Sequence, residues 1–336
     1  MMMLLDWSGS MCDTIQQTTE QLMNLVWFCQ KVNIPFEVYA FTTEYKTQED
    51  RIDRRSGNET FKYKSGNGIM CDVRLICLAS NRCKKKELDE ALMHLWHMSQ
   101  CYTDRYVRYG ETKYAGERYH MPSEYYLGST PLNEALVVLD KMIPMFKEKN
   151  KIEKMSLITL TDGGSNHTFS EKKLMGDKGL QTTPMGYNPP VIKVGKKQFT
   201  FKNHKTHHGS HNTTGLLLDV IKRTHNITTI GFYVTKRFKQ WNLSHMAPEG
   251  SNYEQREQWF AKLRSSMNKQ RYAQANALGY DRYFLLNGKK LKVENTDLSN
   301  IKDDMKAGGI KRIFAKSMKN RLQSRTLLNR FIEEVA

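Results

Sequence analysis

Three short motifs in this sequence place oxygen-bearing side chains next to glycine. They are DWSGS at residues 6–10, GSTP at 128–131 and TDGG at 161–164. The positions in them that suit a common ligand set offer two carboxylates, two serine hydroxyls and one threonine hydroxyl. A donor set made only of oxygen suits a hard divalent cation in octahedral geometry, Mg²⁺ before Mn²⁺ or Ca²⁺, with waters completing the shell. The candidate metal ligands are Asp6, Ser8, Ser10, Thr130 and Asp162.

Each motif is expected where a strand ends or a helix begins. The apolar run Met1–Leu5 is typical of a buried central strand, and residues 155–161 (MSLITLT) of a second one. Residues 131–147 predict the clearest helix, with Thr130 as its N-cap and Pro131 at its first position. Ligands of open α/β sheets bind beyond the carboxyl ends of the strands. We therefore expect the three motifs to meet at one end of a sheet.

The rest of the chain alternates between strand and helix patterns. Helices are predicted at 12–32, 85–98, 213–224 and 253–275, strands at 34–42, 72–79 and 228–234, and a hairpin at 283–293 around the Asn287-Gly288 turn. This order predicts an α/β fold, namely a doubly wound, mostly parallel sheet with helices on both faces. We expect one domain over residues 1–300, with polar insertions at about 43–70, 101–127 and 163–211. Residues 301–336 are expected to form a basic helical C-terminal segment that packs on or extends the domain.

Composition and charge narrow the class of protein. The 336 residues contain 52 Lys and Arg against 35 Asp and Glu, a net charge of +17, which favours an acidic partner, either nucleic acid or an acidic protein surface. No apolar run approaches the roughly 18 residues that span a bilayer, and the opening MMMLL is too short for a signal-peptide core. The six cysteines lack metal-site spacing, and those at 12 and 29 are expected to be buried free thiols. These features predict a cytoplasmic protein without a membrane partner.

The three motifs, in this order, resemble the metal-ion-dependent adhesion site (MIDAS) of von Willebrand factor A (VWA) domains. The resemblance extends over the order of elements to about residue 300 and implies that the five candidate ligands are the MIDAS positions. Within that superfamily, DWSGSM and GSTPLNEAL are most similar to the C-terminal region of the cobaltochelatase VWA subunit, the CobT type. Relatives of that subunit also occur in tailed bacteriophages, which would place the protein in the host cytoplasm. The long N-terminal region with an acidic stretch, usual in that family, is missing from this sequence.

The resemblance implies recognition of a partner. A bound cation keeps one coordination position open, and an Asp or Glu carboxylate of the partner fills it. In cobaltochelatase-like assemblies the VWA subunit docks on a ring of AAA+ ATPases of the MoxR type. This sequence has no GxxxxGK[ST] motif, so ATP hydrolysis would come from the second protein. The expected role is that of a non-ATPase subunit of a chelatase-like complex, which is not catalytic alone; the client, and any part played by cobalt or a tetrapyrrole, stay open.

Two other classes of function compete with this interpretation. The first is a nucleic-acid-binding VWA protein, similar to the Ro-type RNA-binding proteins, which would use the basic surface of the chain. The second is a metallohydrolase built on Asp6 and Asp162. It is disfavoured because the sequence has no HExxH and no DxDxT motif, Ser8 standing where the second Asp of the latter would be.

Several further segments could bind ligands. HxxHHxxH at residues 204–211 could hold a transition metal, although its lysine-rich flanks favour a basic loop, and His167 follows Asp162 by five residues. A tyrosine-rich stretch at 102–126 could stack bases or cover the crevice. Two basic runs could contact phosphate or form solvated faces. The first run is Lys193, Lys196, Lys197, Lys202 and Lys205, and the second is Lys311, Arg312, Lys316, Lys319, Arg321, Arg325 and Arg330.

Overall fold

A computed structural model describes most of the chain. The described residues are 1–43, 68–69, 73–102, 111–114, 117–120, 122–165, 170–174, 180–184, 192–199, 209–235, 238, 240–243, 246–248, 250–270, 272–277 and 279–287. Their strands are β1 (Met2–Asp6), β2 (Glu37–Thr42), β3 (Gly68–Ile69), β4 (Arg74–Ser80), β5 (Glu111–Tyr114), β6 (Glu117–His120), β7 (Ser156–Thr161), β8 (Ser170–Leu174), β9 (Leu180–Pro184), β10 (Ile192–Val194), β11 (Lys197–Phe199), β12 (Thr228–Thr235), β13 (Tyr272–Ala275) and β14 (Arg282–Asn287). Their helices are α1 (Ile15–Lys31), α2 (Lys85–Cys101), α3 (Leu132–Asn150), α4 (Gly209–His225), α5 (Gln240–Leu243) and α6 (Tyr253–Gln270).

Seven of these strands form one twisted sheet. Their order across the sheet is β13-β14-β12-β7-β1-β2-β4. The five inner strands pair in parallel, and the edge strands β13 and β4 are antiparallel to their neighbours. The predicted α/β fold with a mostly parallel sheet is therefore confirmed. From β4 to β14 the strands follow the order 3-2-1-4-5-6, which reverses between β1 and β7, and ligands of such sheets bind at that reversal.

Side chains of β1 alternate between the two faces of the sheet, and each face is covered by helices. Met3 and Leu5 belong to a buried cluster that includes apolar side chains of α1 and α2. Met2 and Leu4 belong to a second cluster, formed with α3 and α4. Because both neighbours of β1 are parallel and both of its faces are buried, this strand is apolar throughout until Asp6. The predicted arrangement, with helices on both faces, matches this packing.

Toward the β13 edge, α6 covers the same face as α3 and α4. Phe260 and Leu263 of this helix pack on Tyr233 and Leu285 from β12 and β14. The predicted helix over 253–275 is wrong at its C-terminal end, because α6 stops at Gln270 and residues 272–275 form β13.

The hairpin predicted at 283–293 is also wrong in its pairing. Strand β14 is parallel to β12 on one side and antiparallel to β13 on the other. Both edges of residues 283–286 are therefore occupied, and the second arm of the predicted hairpin, with residues 288–293, lies outside the described residues. The apolar alternation does form a strand, but its antiparallel partner is β13, which precedes it in the chain.

The three predicted insertions all leave from one end of the large sheet, the end at which β1 and β7 finish, which we call the site end. They follow β2, α2 and β7 in the chain. The second and third contain regular structure where only loops were predicted. Strands β5 and β6 pair with each other, β10 and β11 form another hairpin, and β8 pairs with both β9 and β3. The first and third insertions thus share a small sheet, although about a hundred residues separate β3 from β8.

Parts of the sequence predictions cannot be compared with these elements. Most of the first insertion, His167, His204, the basic residues at 202–205 and the whole segment 301–336 lie outside the described residues. Among the helices that are described, none is both long and apolar enough to cross a membrane.

Candidate metal centre

The first motif follows β1 and is fixed by a buried tryptophan. Trp7 is 1% exposed, its backbone N–H donates to the Phe41 carbonyl at 3.0 Å, and its indole Nε1 donates to the Tyr125 carbonyl at 2.9 Å. A short 3₁₀ turn over Gly9–Asp13 then leads into α1, so that the helix predicted from residue 12 begins three residues later. Within this loop the hydroxyl oxygens of Ser8 and Ser10 lie 3.0 Å apart.

The second motif is held against the first by backbone hydrogen bonds. Gly9 N–H donates to the Gly128 carbonyl at 2.8 Å, and Gly128 N–H donates to the Trp7 carbonyl at 3.2 Å. Gly128 N–H also approaches the Thr42 hydroxyl, at 3.1 Å. A Cβ on Gly128 would lie 2.5 and 2.6 Å from the hydroxyl oxygens of Thr43 and Thr42, closer than real Cβ contacts allow. Glycine is therefore required where the two loops meet.

The third motif joins the first through side chains. The Ser10 hydroxyl donates to Asp162 Oδ1 at 2.8 Å, and the Thr161 hydroxyl donates to Asp6 Oδ2 at 2.6 Å. Thr161 also accepts a hydrogen bond from Gly163 N–H at 3.1 Å. Strands β1 and β7 are adjacent and parallel, so their final residues lie at the same end of the sheet. The two carboxylates predicted as metal ligands are thus brought together at the strand-order reversal.

Thr130 lies beside this cluster, but its predicted role as a helix cap is wrong. The first residue of α3 is Leu132, Pro131 occupies the N-cap position, and the Thr130 hydroxyl makes no capping hydrogen bond. The Thr130 side chain is therefore not engaged at the helix start. Its backbone carbonyl accepts a hydrogen bond from the Ser165 hydroxyl at 3.3 Å, and the same hydroxyl accepts one from Asn133 N–H at 3.2 Å. Ser165 thus links the third motif to the second.

The electrostatics of the two carboxylates disfavour their ionised forms. Asp6 is fully buried, and burial, together with repulsion from Asp162, raises its pKa to about 7 against the opposing effect of the nearby Thr161 and Ser8 hydroxyls. Burial also raises the pKa of Asp162, while the hydrogen bond from Ser10 lowers it. Asp6 Oδ1 is buried without a hydrogen-bond partner in the described part of the chain. A buried acceptor left unpaired next to a second carboxylate fits a cation site, because a dication would satisfy the oxygen and remove the repulsion.

Two residues that matter here were not among the predicted ligands. Thr161 belongs to the TDGG motif but is not one of the five candidate ligands, and Ser165 lies outside all three motifs. Both act through hydrogen bonds to the loops, Thr161 on Asp6 and Ser165 on the Thr130 carbonyl. Sequence spacing gives no signal for Ser165, because its partners lie more than thirty residues away. For Thr161 the signal was its position as the last residue of a buried strand.

The described residues add little support for the other candidate ligand sites, namely the histidine cluster and the tyrosine-rich stretch. No group of three or more His, Cys, Asp or Glu side chains is arranged to hold a metal ion among the described residues. The candidate metal centre has two carboxylates and otherwise hydroxyls, so it does not form such a group. His211 falls in α4, but its side chain is outside the description. Tyr102 is buried and donates its hydroxyl to the Tyr125 carbonyl, so this tyrosine packs under the site instead of offering a ring for stacking.

The cysteines in the described part of the chain are free thiols. Cys29 is buried in the core on the α1 face, as predicted, and burial raises the pKa of its thiol to about 12. Cys12 is only half-buried, and its thiol donates to the Tyr102 carbonyl at 3.3 Å.

Comparisons with known proteins give limited information. No protein-family model matches the chain, and no curated protein matches it. Among solved structures it is similar to the pilus adhesin SpaC from Lactobacillus rhamnosus GG, with 10% sequence identity and a TM-score of 0.38. The match covers 82% of this chain and 33% of the adhesin, so the chain spans about a third of that protein's length. A similarity at this level carries no argument about function.

Proposed function

We propose that this protein is a VWA-type adaptor that binds Mg²⁺ at Asp6, Ser8, Ser10, Thr130 and Asp162 and captures a partner protein through that ion. The observation that carries the proposal is the buried, unpartnered Asp6 Oδ1 at the strand-order reversal, next to Asp162 and two serine hydroxyls. Mn²⁺ and Ca²⁺ accept the same oxygen ligands and are alternative occupants. When bound, the ion would present an open coordination position to a carboxylate of the partner.

The residues of the chain have distinct parts in this proposal. Asp6 is held by Thr161 so that Oδ2 is engaged and Oδ1 is left for the ion. Ser10 bridges Ser8 and Asp162, which keeps the first and third loops in contact. Asp162 and Ser10 are the more accessible members, since Ser10 is exposed and Asp162 half-buried, whereas Asp6, Ser8 and Thr130 are buried. A partner carboxylate would therefore approach from the side of Ser10 and Asp162.

The proposed partner is a separate AAA+ ATPase of the MoxR or cobaltochelatase type, with this chain as the CobT-like, non-ATPase member of the complex. Support for that partner comes from the motif resemblance and from the sequence, which lacks a P-loop. A bacteriophage origin and a cytoplasmic location belong to the same proposal. The alternative, nucleic-acid binding through the basic surface, makes the opposite prediction about the metal, because counterion release from phosphates does not need Mg²⁺.

The test has two stages. Mn²⁺ or Mg²⁺ binding is measured by calorimetry for the wild type, for Asp6→Asn and Asp162→Asn, and for the control Asp89→Asn on α2. We expect binding in the wild type and the control only. Capture of a purified AAA+ ATPase of the MoxR type is then measured with Mg²⁺ and with EDTA, and we expect capture only with Mg²⁺. Equal binding of the ion by all four proteins, or equal capture in EDTA, would contradict the proposal.

A further inference from the structure

The third insertion contains a short lysine-bearing hairpin docked on α4. Strands β10 and β11 pair in antiparallel fashion, with Ile192 opposite Phe199 and Val194 opposite Lys197. Gly195 occupies the turn with φ of 58°, a conformation that favours glycine at the first central position of a two-residue hairpin loop. We call residues Ile192–Phe199 the lysine hairpin. Only loop had been predicted here, so its regular structure is a finding.

Apolar residues anchor the lysine hairpin to the body of the protein. Phe199 is 8% exposed and forms a buried cluster with Leu216 and Val220 of α4. Ile192 and Val194 pack against the same cluster. Every apolar side chain of the hairpin therefore faces α4. The hairpin is held as a fixed projection. Lys193 and Gln198 lie opposite each other on the other face of the ribbon, Lys196 is in the turn, and Lys197 shares the face of its cross-strand partner Val194 but is exposed.

The exposed side chains of the hairpin are cationic, and its lysines make no ion pair within the described part of the chain. Lys193, Lys196, Lys197 and Gln198 are all exposed, and the hairpin contains no acidic residue. None of the three lysines forms an ion pair with any described residue. By contrast, Lys222, two residues after Val220 on the same helix, is paired with Asp281 at 3.0 Å, and Arg223 is paired with Asp219 at 2.9 Å. The positive charge of the hairpin is therefore available to a ligand.

We propose that the lysine hairpin binds the phosphate backbone of a nucleic acid, independently of the metal centre. Protein interfaces are depleted in lysine and need an apolar core, and none of the exposed side chains of this hairpin is apolar. Phosphate contacts need only positioned cations and hydrogen-bond donors, which the lysines and the Gln198 amide supply. A two-stranded ribbon is also narrow enough to enter a duplex groove. The expected binding is independent of base sequence and dependent on salt.

The test measures binding of a fluorescent 20-base-pair DNA duplex and a single-stranded RNA of the same length, by anisotropy, at several salt concentrations in EDTA. The test variant is Lys193→Gln/Lys196→Gln/Lys197→Gln. Its control is Lys141→Gln/Lys262→Gln/Lys269→Gln, which removes the same charge from exposed positions on α3 and α6. Each lost phosphate contact lowers the slope of log K against log salt by about 0.9 on a duplex.

We expect micromolar binding of one or both probes by the wild type. The affinity of the hairpin variant at low salt should fall at least about tenfold. Its slope of log K against log salt on the duplex should decrease in magnitude by about 2 to 3. The affinity of the control variant should change less than about twofold. The apolar anchors are untouched, so melting temperatures should agree within experimental error. An equal loss in both variants, an unchanged salt slope in the hairpin variant, or no binding of either probe overturns the proposal. Polyglutamate is also tested as a competitor of the labelled probe. If it displaces the probe as strongly as unlabelled nucleic acid of equal charge does, the proposal is overturned and an acidic protein is the better ligand.

Because this binding is measured in EDTA, its outcome is separate from that of the metal proposal. A second variant, Phe199→Ala, keeps all three lysines and removes the anchor on α4. We expect it to weaken binding of the probe at constant charge, since the cations are then no longer held together. Unchanged affinity in Phe199→Ala would show that charge alone, without the fixed hairpin, accounts for binding, and would overturn the structural part of the proposal.

Discussion

The hydroxyl of Ser10 donates a 2.8 Å hydrogen bond to Oδ1 of Asp162, a residue 152 positions further along the chain. This contact crosses from the loop after β1 to the loop after β7, two parallel neighbours in the sheet. It places a carboxylate and a hydroxyl from distant parts of the sequence in one polar cluster, next to the buried Asp6. The following predictions test what this cluster does and what holds it together.

Asp6→Asn is expected to stabilise the metal-free protein while abolishing stabilisation by Mg²⁺. The pKa of Asp6 is about 7 when folded, well above the value of about 3.9 for an unfolded chain, so the folded state resists its ionisation. This resistance lowers the free energy of unfolding of the wild type. The loss is absent below about pH 4, increases as the pH rises, and is complete above about pH 7. We expect the variant to gain about 1–3 kcal/mol in the free energy of unfolding at pH 8 in EDTA.

Urea denaturation at pH 4 and pH 8, with EDTA and with excess Mg²⁺, checks this prediction. The control is Asp89→Asn, which should follow the wild type in all four conditions. If Asp6→Asn destabilises the metal-free protein at pH 8, the carboxylate is stabilised by the chain itself, and the case for a missing cation fails.

Thr161→Val should weaken Mg²⁺ binding without removing any proposed ligand. Valine has nearly the same shape but cannot donate to Asp6 Oδ2 or accept from Gly163 N–H. Groups that orient metal ligands typically contribute 10- to 100-fold in affinity, so we expect a loss of about tenfold or more by calorimetry. Thr161→Ser keeps the hydroxyl and should bind within about threefold of the wild type. Equal affinities of the valine and serine variants would show that the hydroxyl does not position Asp6.

Gly128→Ala is expected to destabilise the fold, in contrast to Gly163→Ala. The added methyl would meet the hydroxyls of Thr42 and Thr43 at the junction of the first two loops, whereas nothing lies within 4 Å of a Cβ on Gly163. Overpacking of this kind costs about 1–3 kcal/mol. Thermal denaturation of both variants in EDTA provides the measurement. Similar melting temperatures for the two would mean that the loop junction relaxes freely.

A fourth prediction concerns acid denaturation far from the metal centre. Asp281 accepts hydrogen bonds from Thr229 N–H at 2.8 Å and from Lys222 Nζ at 3.0 Å. Burial works against ionisation of this carboxyl and would raise its pKa. The hydrogen bonds from Thr229, with the hydrogen bond and positive charge of Lys222, outweigh burial and hold the pKa below its ordinary value. A lowered pKa gives stability that is present above the unfolded value of about 3.9 and is lost as the pH falls through the folded value.

We therefore expect Asp281→Asn to lower the free energy of unfolding by about 0.5–1 kcal/mol at pH 7, because solvent screens this exposed carboxyl, and to approach the wild type at the acid end of the transition. Asp219→Asn, which removes an exposed helical pair with Arg223, should cost no more than about 0.5 kcal/mol at either pH. A difference between Asp281→Asn and the wild type that does not depend on pH would contradict the linkage.

The sequence was informative where local patterns determine structure. Continuous apolar runs identified β1 and β7 because both faces of these strands are covered, and the residues that end them, Asp6 and Asp162, were correctly expected at one end of the sheet. The meeting of the first and third motifs follows from the parallel order of β1 and β7, whereas the second motif is joined to the first by the backbone hydrogen bonds between Gly128 and the Trp7–Gly9 loop. Side-chain contacts could not be predicted in the same way. Thr130 does not cap α3, and the hydrogen bond from Thr161 to Asp6 depends on the side-by-side register of β1 and β7.

Structure in the insertions was missed because it depends on pairing between distant segments. Strand β3 has only two residues, and its partner β8 (SEKKL) has a polar sequence without apolar alternation. Strand β13 was absorbed into a predicted helix because α6 ends only two residues before it. For the lysine hairpin, the sequence predicted only a polar insertion, because the apolar surface that holds the hairpin comes from the contact of Phe199 with α4.

The common origin of the three insertions at the site end has a consequence for how this architecture can diversify. The opposite end of the sheet, where β1, β7 and β12 begin, carries only short connections and can remain constant while the insertions change in length and charge. If the chain acts as the proposed adaptor, its selectivity for different partners is exchangeable by transplanting loops onto an unaltered scaffold, with the cluster around Asp6 kept in common.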